Sequence, residues 1–323
     1  MVDMKSRTII KRIFGIGTIP LITLAIMLGL CAVNGITLFE TELNWRTFFQ
    51  SVASVMLTTF ALSINLNSGR FDFSIGSISL LSSVLASQIC INAGLTTPWM
   101  LMLCIVFGAV LGALSGLVYV LVKLPPIIVS LGLALFYEGL AFTATKGKGV
   151  SFVTNLELTS FPGIRNYCLL ILAALAIVII IMDYTVFGYN YKALISGQKV
   201  AVNTGIKEVS NAIGCYALAG GLMGVVGFIS ATKTGNIMMA LNFGSIGVMF
   251  TAFLPMFIGG FIGRFCNERI GYLLGAVTTG LISLTYARLN VDASVQQIVT
   301  ALILVTFLIY LNNEGKLKQL FKR

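Results

Sequence analysis

Histidine does not occur in this chain of 323 residues, which removes the commonest metal ligand and the side chain that most readily moves protons near neutral pH. Charge of either sign is scarce: Asp, Glu, Lys and Arg make up 10% of the residues, against 57% hydrophobic. A soluble domain is nearer a quarter charged, so a water-soluble fold of this length would lack the charges to cover its surface. Cysteines at metal-binding spacing are missing too. Cys31, Cys90, Cys104, Cys168, Cys215 and Cys266 lie mostly inside apolar runs and read as free thiols that behave as small buried hydrophobes. The HExxH, GxSxG and P-loop patterns are all absent, so no enzyme constellation is visible and any ATP must be hydrolysed by another chain. A cleavage site of small residues is lacking after the first apolar run, from Ile16 to Phe39, and that run is too long for a signal peptide. It reads as an uncleaved first span.

What is present is apolar sequence in membrane-spanning lengths. A helix needs about 20 apolar residues to cross the hydrocarbon layer. Such runs fall at 16–38, 47–66, 73–92, 98–122, 127–145, 166–184, 209–230, 244–262, 270–287 and 295–311. The expected fold is an all-α polytopic membrane protein of about ten spans, a single permease-like domain over residues 1–323. The third run is rich in Ser. The eighth carries Gly244, Gly247 and Pro255 and is expected to break.

Basic residues in short loops set the orientation of such a protein. With both termini inside, the inner positions are Lys5, Arg7, Lys11, Arg12, Arg70, Lys123, Lys192, Lys199, Lys207, Arg264, Arg269, Lys316, Lys318, Lys322 and Arg323. Only Arg46, Lys146, Lys148, Arg165, Lys233 and Arg288 are left outside. The formal net charge of +10 is thus read as loop bias and not as a nucleic-acid surface, because the basic residues are scattered singly.

Small residues recur at helix-packing spacing: Gly108, Gly112 and Gly116 in the fourth run, Gly220, Gly224 and Gly227 in the seventh, Gly271 and Gly275 in the ninth. They read as seams where helix backbones approach closely. Ionised groups in a span are costly, about 2.5–3.5 kcal/mol at the helix centre on insertion scales. Glu138 is the one placed well inside a span, either as a pore-facing group or as a buried partner of a neighbouring helix's hydroxyls. Asp72 sits in a polar break, Asn67 to Ser74, where it caps the third helix or serves a ligand path. The connection from Asp183 to Val209 carries Gly197, Gln198, Lys199, Ala201, Asn203, Gly205 and Ile206. It is either a solvated loop or a short amphipathic docking helix.

Several of these segments, in chain order, resemble the permease subunits of bacterial ABC importers for simple sugars. That family shows Ser-Gly-Gly-Ile-Asp-Leu-Ser-Val-Gly where this chain has Ser68-Gly69-Arg70-Phe71-Asp72-Phe73-Ser74-Ile75-Gly76. Pro125 through Gly132 is similar to its Pro-Pro-Phe-Ile-x-Thr-Leu-Gly, Gly197 through Ile206 to its ATPase-contacting loop, Phe257 to Gly260 to Val-x-Gly-Gly, and Gln296 to Val299 to Gln-Gln-Ile-Val. Departures fall at Arg70, where the family has Gly; at Glu138, where it often has Arg; at Lys199, in place of a Glu; and at Gly263 to Arg269, in place of a Gly-rich stretch.

The resemblance implies the transmembrane subunit of a bacterial inner-membrane importer for a monosaccharide or related small polar solute, with nucleosides and signalling sugars as alternatives. It also implies cytoplasmic ATPase subunits carrying ATP and magnesium, a second permease that makes a homo- or heterodimer with this one, and an extracytoplasmic binding protein. The segment around 190–208 becomes the docking loop, with Gly197 and Gly205 making its turns. Asn65, Phe71, Asp72, Tyr137 and Glu138 become candidates for a polar path with aromatic faces. An ion-coupled secondary transporter is the rival class; Glu138 would be its coupling carboxylate. A lipid-modifying enzyme would need a nucleophile–base pair or metal cluster that the sequence does not offer.

Overall fold

A computed structural model describes residues 2–320; Lys322 and Arg323, counted with the inner charges, lie outside the described residues. Ten helices among the described residues are long and apolar enough to cross a membrane, and they coincide with the ten runs read from the sequence. They are α1 (Val2–Val33), α2 (Glu42–Asn67), α3 (Ile75–Ala93), α4 (Thr97–Val122), α5 (Pro126–Thr145), α6 (Ile164–Tyr184), α8 (Glu208–Thr234), the broken run that ends in α10 (Phe253–Ile262), α11 (Glu268–Arg288) and α12 (Ala293–Leu320). Between α6 and α8 lies α7 (Val186–Asn203). Proline opens α4 and α5, where its missing N–H costs nothing.

The expected break in the eighth run is present. A 3-10 turn at Gly244–Ile246 leads into the one-turn α9 (Gly247–Phe250), and a regular helix resumes only at α10. The Ser-rich third run is a continuous helix. Its serines satisfy themselves locally: Ser77, Ser82 and Ser83 donate to the carbonyls of Ser74, Ser79 and Leu80, one turn back. That local bonding lets a polar sequence stay helical in an apolar surrounding.

The chain forms two compact units, Met56–Ala252 and a second made of Met1–Val55 with Phe253–Arg323. In the first, α4 and α8 lie backbone to backbone. A methyl group on Gly108 or Gly112 would overlap the carbonyls of Gly220 and Tyr216, and one on Gly224 would overlap that of Cys104. In the second unit, Gly271 and Gly275 of α11 meet the carbonyls of Gly259 and Pro255 in α10. The glycine stripes are therefore packing seams, each closed within its own unit. Leu254, Ile258, Ile262 and Ile282 form a core beside them. By contrast α1 from Phe14 to Val33 and α12 from Ala293 to Asn313 leave most of their apolar side chains uncovered, as helices facing lipid do, because hydrocarbon is as apolar as Leu. One short antiparallel ladder pairs Val150–Ser151 with Asn236–Ile237, tying the α5–α6 connection to the end of α8.

Candidate functional site

Helix α2 ends in a Schellman turn. Gly69 adopts φ +75°, its N–H bonds Leu66 O at 2.9 Å and the N–H of Arg70 reaches back to Asn65 O at 2.9 Å. The chain then turns through Asp72 into α3. Asp72 is 1% exposed. One carboxylate oxygen accepts from the backbone N–H (2.9 Å) and hydroxyl (2.6 Å) of Ser74, the other from Asn65 Nδ2 (3.2 Å). Burial pushes its carboxyl above the usual range, while the Ser74 and Asn65 hydrogen bonds pull the other way. Asp72 thus holds the first turn of α3 to the last turn of α2. Phe71 is half-buried with its ring against Phe73, centroids 4.7 Å apart.

Glu138 on α5 is 1% exposed and fully engaged. Its Oε1 accepts from the N–H of Ser245 at 2.8 Å and the hydroxyl of Ser245 at 2.5 Å; its Oε2 accepts from the N–H of Phe243 at 3.0 Å. The partner is the break before α9, where Asn242 and Phe243 both adopt positive φ. A break in a span leaves backbone N–H groups without helical acceptors, and in an apolar surrounding these need a partner. The carboxylate supplies it. Gly76 of α3 completes the fit, since a methyl there would overlap the Ser245 carbonyl. Tyr137, the neighbour of Glu138, points instead to α4, with hydrogen bonds of 3.0 Å to Ser115 and to Leu111 O. The five expected path residues therefore form separate contacts: Asn65 with Asp72, Phe71 with Phe73, Tyr137 with α4, Glu138 with the broken span.

The expected docking segment is helical on both sides of an interruption at Gly197. Gly197 has an extended backbone (φ 179°) that any residue adopts, so the break does not demand glycine. Gly205 does. It sits at φ +92°, with its N–H on Val202 O (3.0 Å) and the N–H of Ile206 on Ala201 O (3.1 Å), a second Schellman turn. The short helix between them is largely exposed, its apolar Val202 (42%) included. Ala201 is buried and Ile206 half-buried, whereas Gln198, Lys199, Val200, Asn203 and Lys207 are exposed, Val200 at 69%. Before the break, the Tyr191 hydroxyl donates to Ile64 O at 3.0 Å and Lys192 pairs with Asp183 at 2.7 Å.

A crevice of about 290 Å³ opens between α3 and α8 beside the broken span. Ser79 and Ser83 line it from α3, Ser230 and Thr234 from α8, and Asn236 and Ser245 from the segment that follows. Leu80, Ile237, Met238 and Val248 complete the wall with apolar surface, and no charged side chain lines it. These residues were not singled out from the sequence, yet a signal was there. Ser79/Ser83 and Ser230/Thr234 are both i, i+4 pairs, which put two hydroxyls on one helix face; in a hydropathy reading the first pair only lowers the mean of its span and the second falls at the end of one. Among the described residues, no group of three or more Cys, Asp or Glu is placed to hold a metal ion.

Residues 46–312 match the family described as branched-chain amino acid transport system, permease component. Among curated proteins, the autoinducer 2 import system permease protein LsrC of Photorhabdus luminescens is 25% identical over 305 residues, covering 92% of this chain and 89% of the relative. The protein of the same name from Salmonella typhimurium is 24% identical over 281 residues, 85% of this chain and 79% of the relative. That from Escherichia coli O9:H4 is 23% identical over 281 residues, 85% and 80% respectively. No solved structure matches the chain.

Proposed function

Because this chain belongs to the family of branched-chain amino acid transport system permease components, we propose that it is the transmembrane subunit of an ATP-driven ABC importer for a small, neutral, hydroxylated solute, a monosaccharide or signalling sugar. The single observation that carries the solute class is the crevice between α3 and α8, about 290 Å³, where five hydroxyls and an amide are set among the apolar side chains of Leu80, Ile237, Met238 and Val248 and no charge is present. An amino-acid zwitterion calls for charged or strongly polarised partners, whereas a polyol is matched by Ser, Thr and Asn. Import of autoinducer 2, the cargo in the names of the relatives, favours the signalling-sugar form of this reading. Of the residues first expected along the path, Glu138 holds Ser245 on its wall, and Asp72, bonded by Asn65, holds the start of α3; Phe71 and Tyr137 pack elsewhere.

In this reading the subunit lies in the bacterial inner membrane with both termini in the cytoplasm. Residues 197–206 dock a cytoplasmic ATPase that binds ATP and magnesium, a second permease copy completes the path, and a binding protein delivers the solute. ATP-driven closure of the ATPases alternates the path between the two faces. Reconstitution with the ATPase and binding protein tests it. Uptake should stop when ATP is withheld and persist when ionophores collapse the ion gradients. Uptake that follows the gradients without ATP would instead identify a secondary transporter.

The docking assignment has its own test. A β-branched side chain at φ +92° is strained by roughly 1–2 kcal/mol, and Gly205 has open space around its Cβ position. Gly205→Val should therefore misalign the segment without disturbing the bundle. Solute-stimulated ATP hydrolysis is expected to fall about tenfold, a coupling loss of roughly 1.4 kcal/mol, with Gly197→Ala near wild type. Wild-type transport by Gly205→Val would sink the assignment.

A further inference from the structure

Arg70 stands where the resembling family has glycine, and it is 6% exposed. A buried guanidinium needs partners. Its Nη1 donates to Ser68 Oγ at 3.2 Å, and its Nη2 lies 3.9 Å from Glu208 Oε1. The same Glu208 oxygen accepts from Gln198 Nε2 at 2.7 Å. Glu208 is the first residue of α8, where free N–H groups and the helix dipole favour a carboxylate. Arg70, Gln198 and Glu208 face one polar cavity of about 370 Å³, together with Tyr119, Tyr191 and Asn211.

The positions along the chain give this network a direction. Gln198 is the first residue beyond the Gly197 break, so it reports on the short exposed helix and not on the rest of α7. The part of α7 before the break is held separately, by Tyr191 on Ile64 O. Arg70 closes the Schellman turn of α2 and lies two residues before Asp72, which holds the start of α3. Helix α3 in turn carries Gly76, Ser79 and Ser83 of the crevice.

We propose that Arg70 and Glu208 are positioning residues that form a coupling latch: Glu208 links Gln198, at the head of the docking helix, to Arg70 in the turn that leads into α3, so displacement of residues 198–203 moves that turn. The latch rests on the docking reading given above. At 3.9 Å the pair is an ion pair and not a tight hydrogen bond, which suits a contact that must lengthen and re-form in each cycle.

The test uses the full chain assembled with its ATPase and binding protein in proteoliposomes, with Arg70→Met, Glu208→Gln, the double variant and the exchange Arg70→Glu/Glu208→Arg. The readout is ATP hydrolysed per solute imported. Each single variant is expected to raise that ratio about tenfold while the ATPase still copurifies. The double variant should be no worse than either single one, since they remove the same interaction, and the exchange should recover part of the coupling. Wild-type stoichiometry in both single variants, or effects that multiply in the double variant, would overturn the latch. If Arg70→Met fails to assemble, Glu208→Gln decides alone, because Glu208 is over a third exposed and its amide is tolerated. A cross-link from Lys199→Cys to the ATPase checks the docking reading separately: its absence removes both readings, and its presence with unchanged stoichiometry removes the latch only.

Discussion

Gly220→Val is expected to leave little folded protein to assay. Among the described contacts, a Cβ on Gly220 would overlap the carbonyl of Gly108 and lie 2.8 Å from the Cα of Gly112. Both obstacles are backbone of a facing helix, which cannot swing aside as a side chain can. Forcing atoms into a packed interior costs about 1–3 kcal/mol even when side chains give way; a branched group against two backbones belongs at or above the top of that range. The α4–α8 seam has little else to fall back on, because in lipid no hydrophobic gain draws helices together once close packing is lost. Thermal unfolding in detergent, followed by size-exclusion fluorescence, should show a destabilisation of at least about 3 kcal/mol or loss of the monodisperse peak. Gly221→Ala is the control: its Cβ would sit 3.6 Å from Ala109 Cβ, an ordinary contact, and should be near neutral. A wild-type melting curve for Gly220→Val would refute the seam.

The second large effect concerns Glu138. Glu138→Leu keeps the volume roughly but orphans two backbone N–H groups and one hydroxyl, at 243 and 245, that now bond the carboxylate. Each unsatisfied buried donor costs roughly 1–3 kcal/mol, so a total of about 3 kcal/mol or more is expected, with loss of transport as the wall of the crevice at Ser245 comes loose. Glu138→Gln retains one carbonyl oxygen and should fall between. The pair of measurements separates the two roles open for this residue. Lowered thermal stability together with lost uptake marks a strut for the broken span. Wild-type stability with abolished uptake would instead make Glu138 a group on the path, and the strut would be wrong.

Glu138 also shows where reading the sequence stops. Its presence in a span announces a constraint, but its partners lie more than a hundred residues further along, in a segment whose Gly244 and Gly247 give only the break. Arg70 behaves the same way. As a letter it is one more inner charge beside a polar turn; its ion pair with Glu208 depends on α7 and α8 returning to the end of α2. The crevice was overlooked for a different reason. Hydropathy averages over all faces of a helix, so the hydroxyls of Ser79 and Ser83 lowered the score of a span without revealing that they share one face with Gly76.

The ten spans, the break in the eighth, the glycine seams and the capped turn at Gly205 were set by the sequence alone. Each depends on residues within one or two helical turns, and the bilayer imposes a length and a polarity that a local window can detect. Only the tertiary structure decided which seam closes on which helix, that Glu138 serves the backbone of the broken span, that Asp72 clasps two helices, and that Arg70 meets Glu208. Those outcomes need polar groups distant in the chain to find one another where water is absent, and the cost of leaving them unpaired there selects the partner. A one-dimensional pattern carries that cost but not the identity of the group that relieves it.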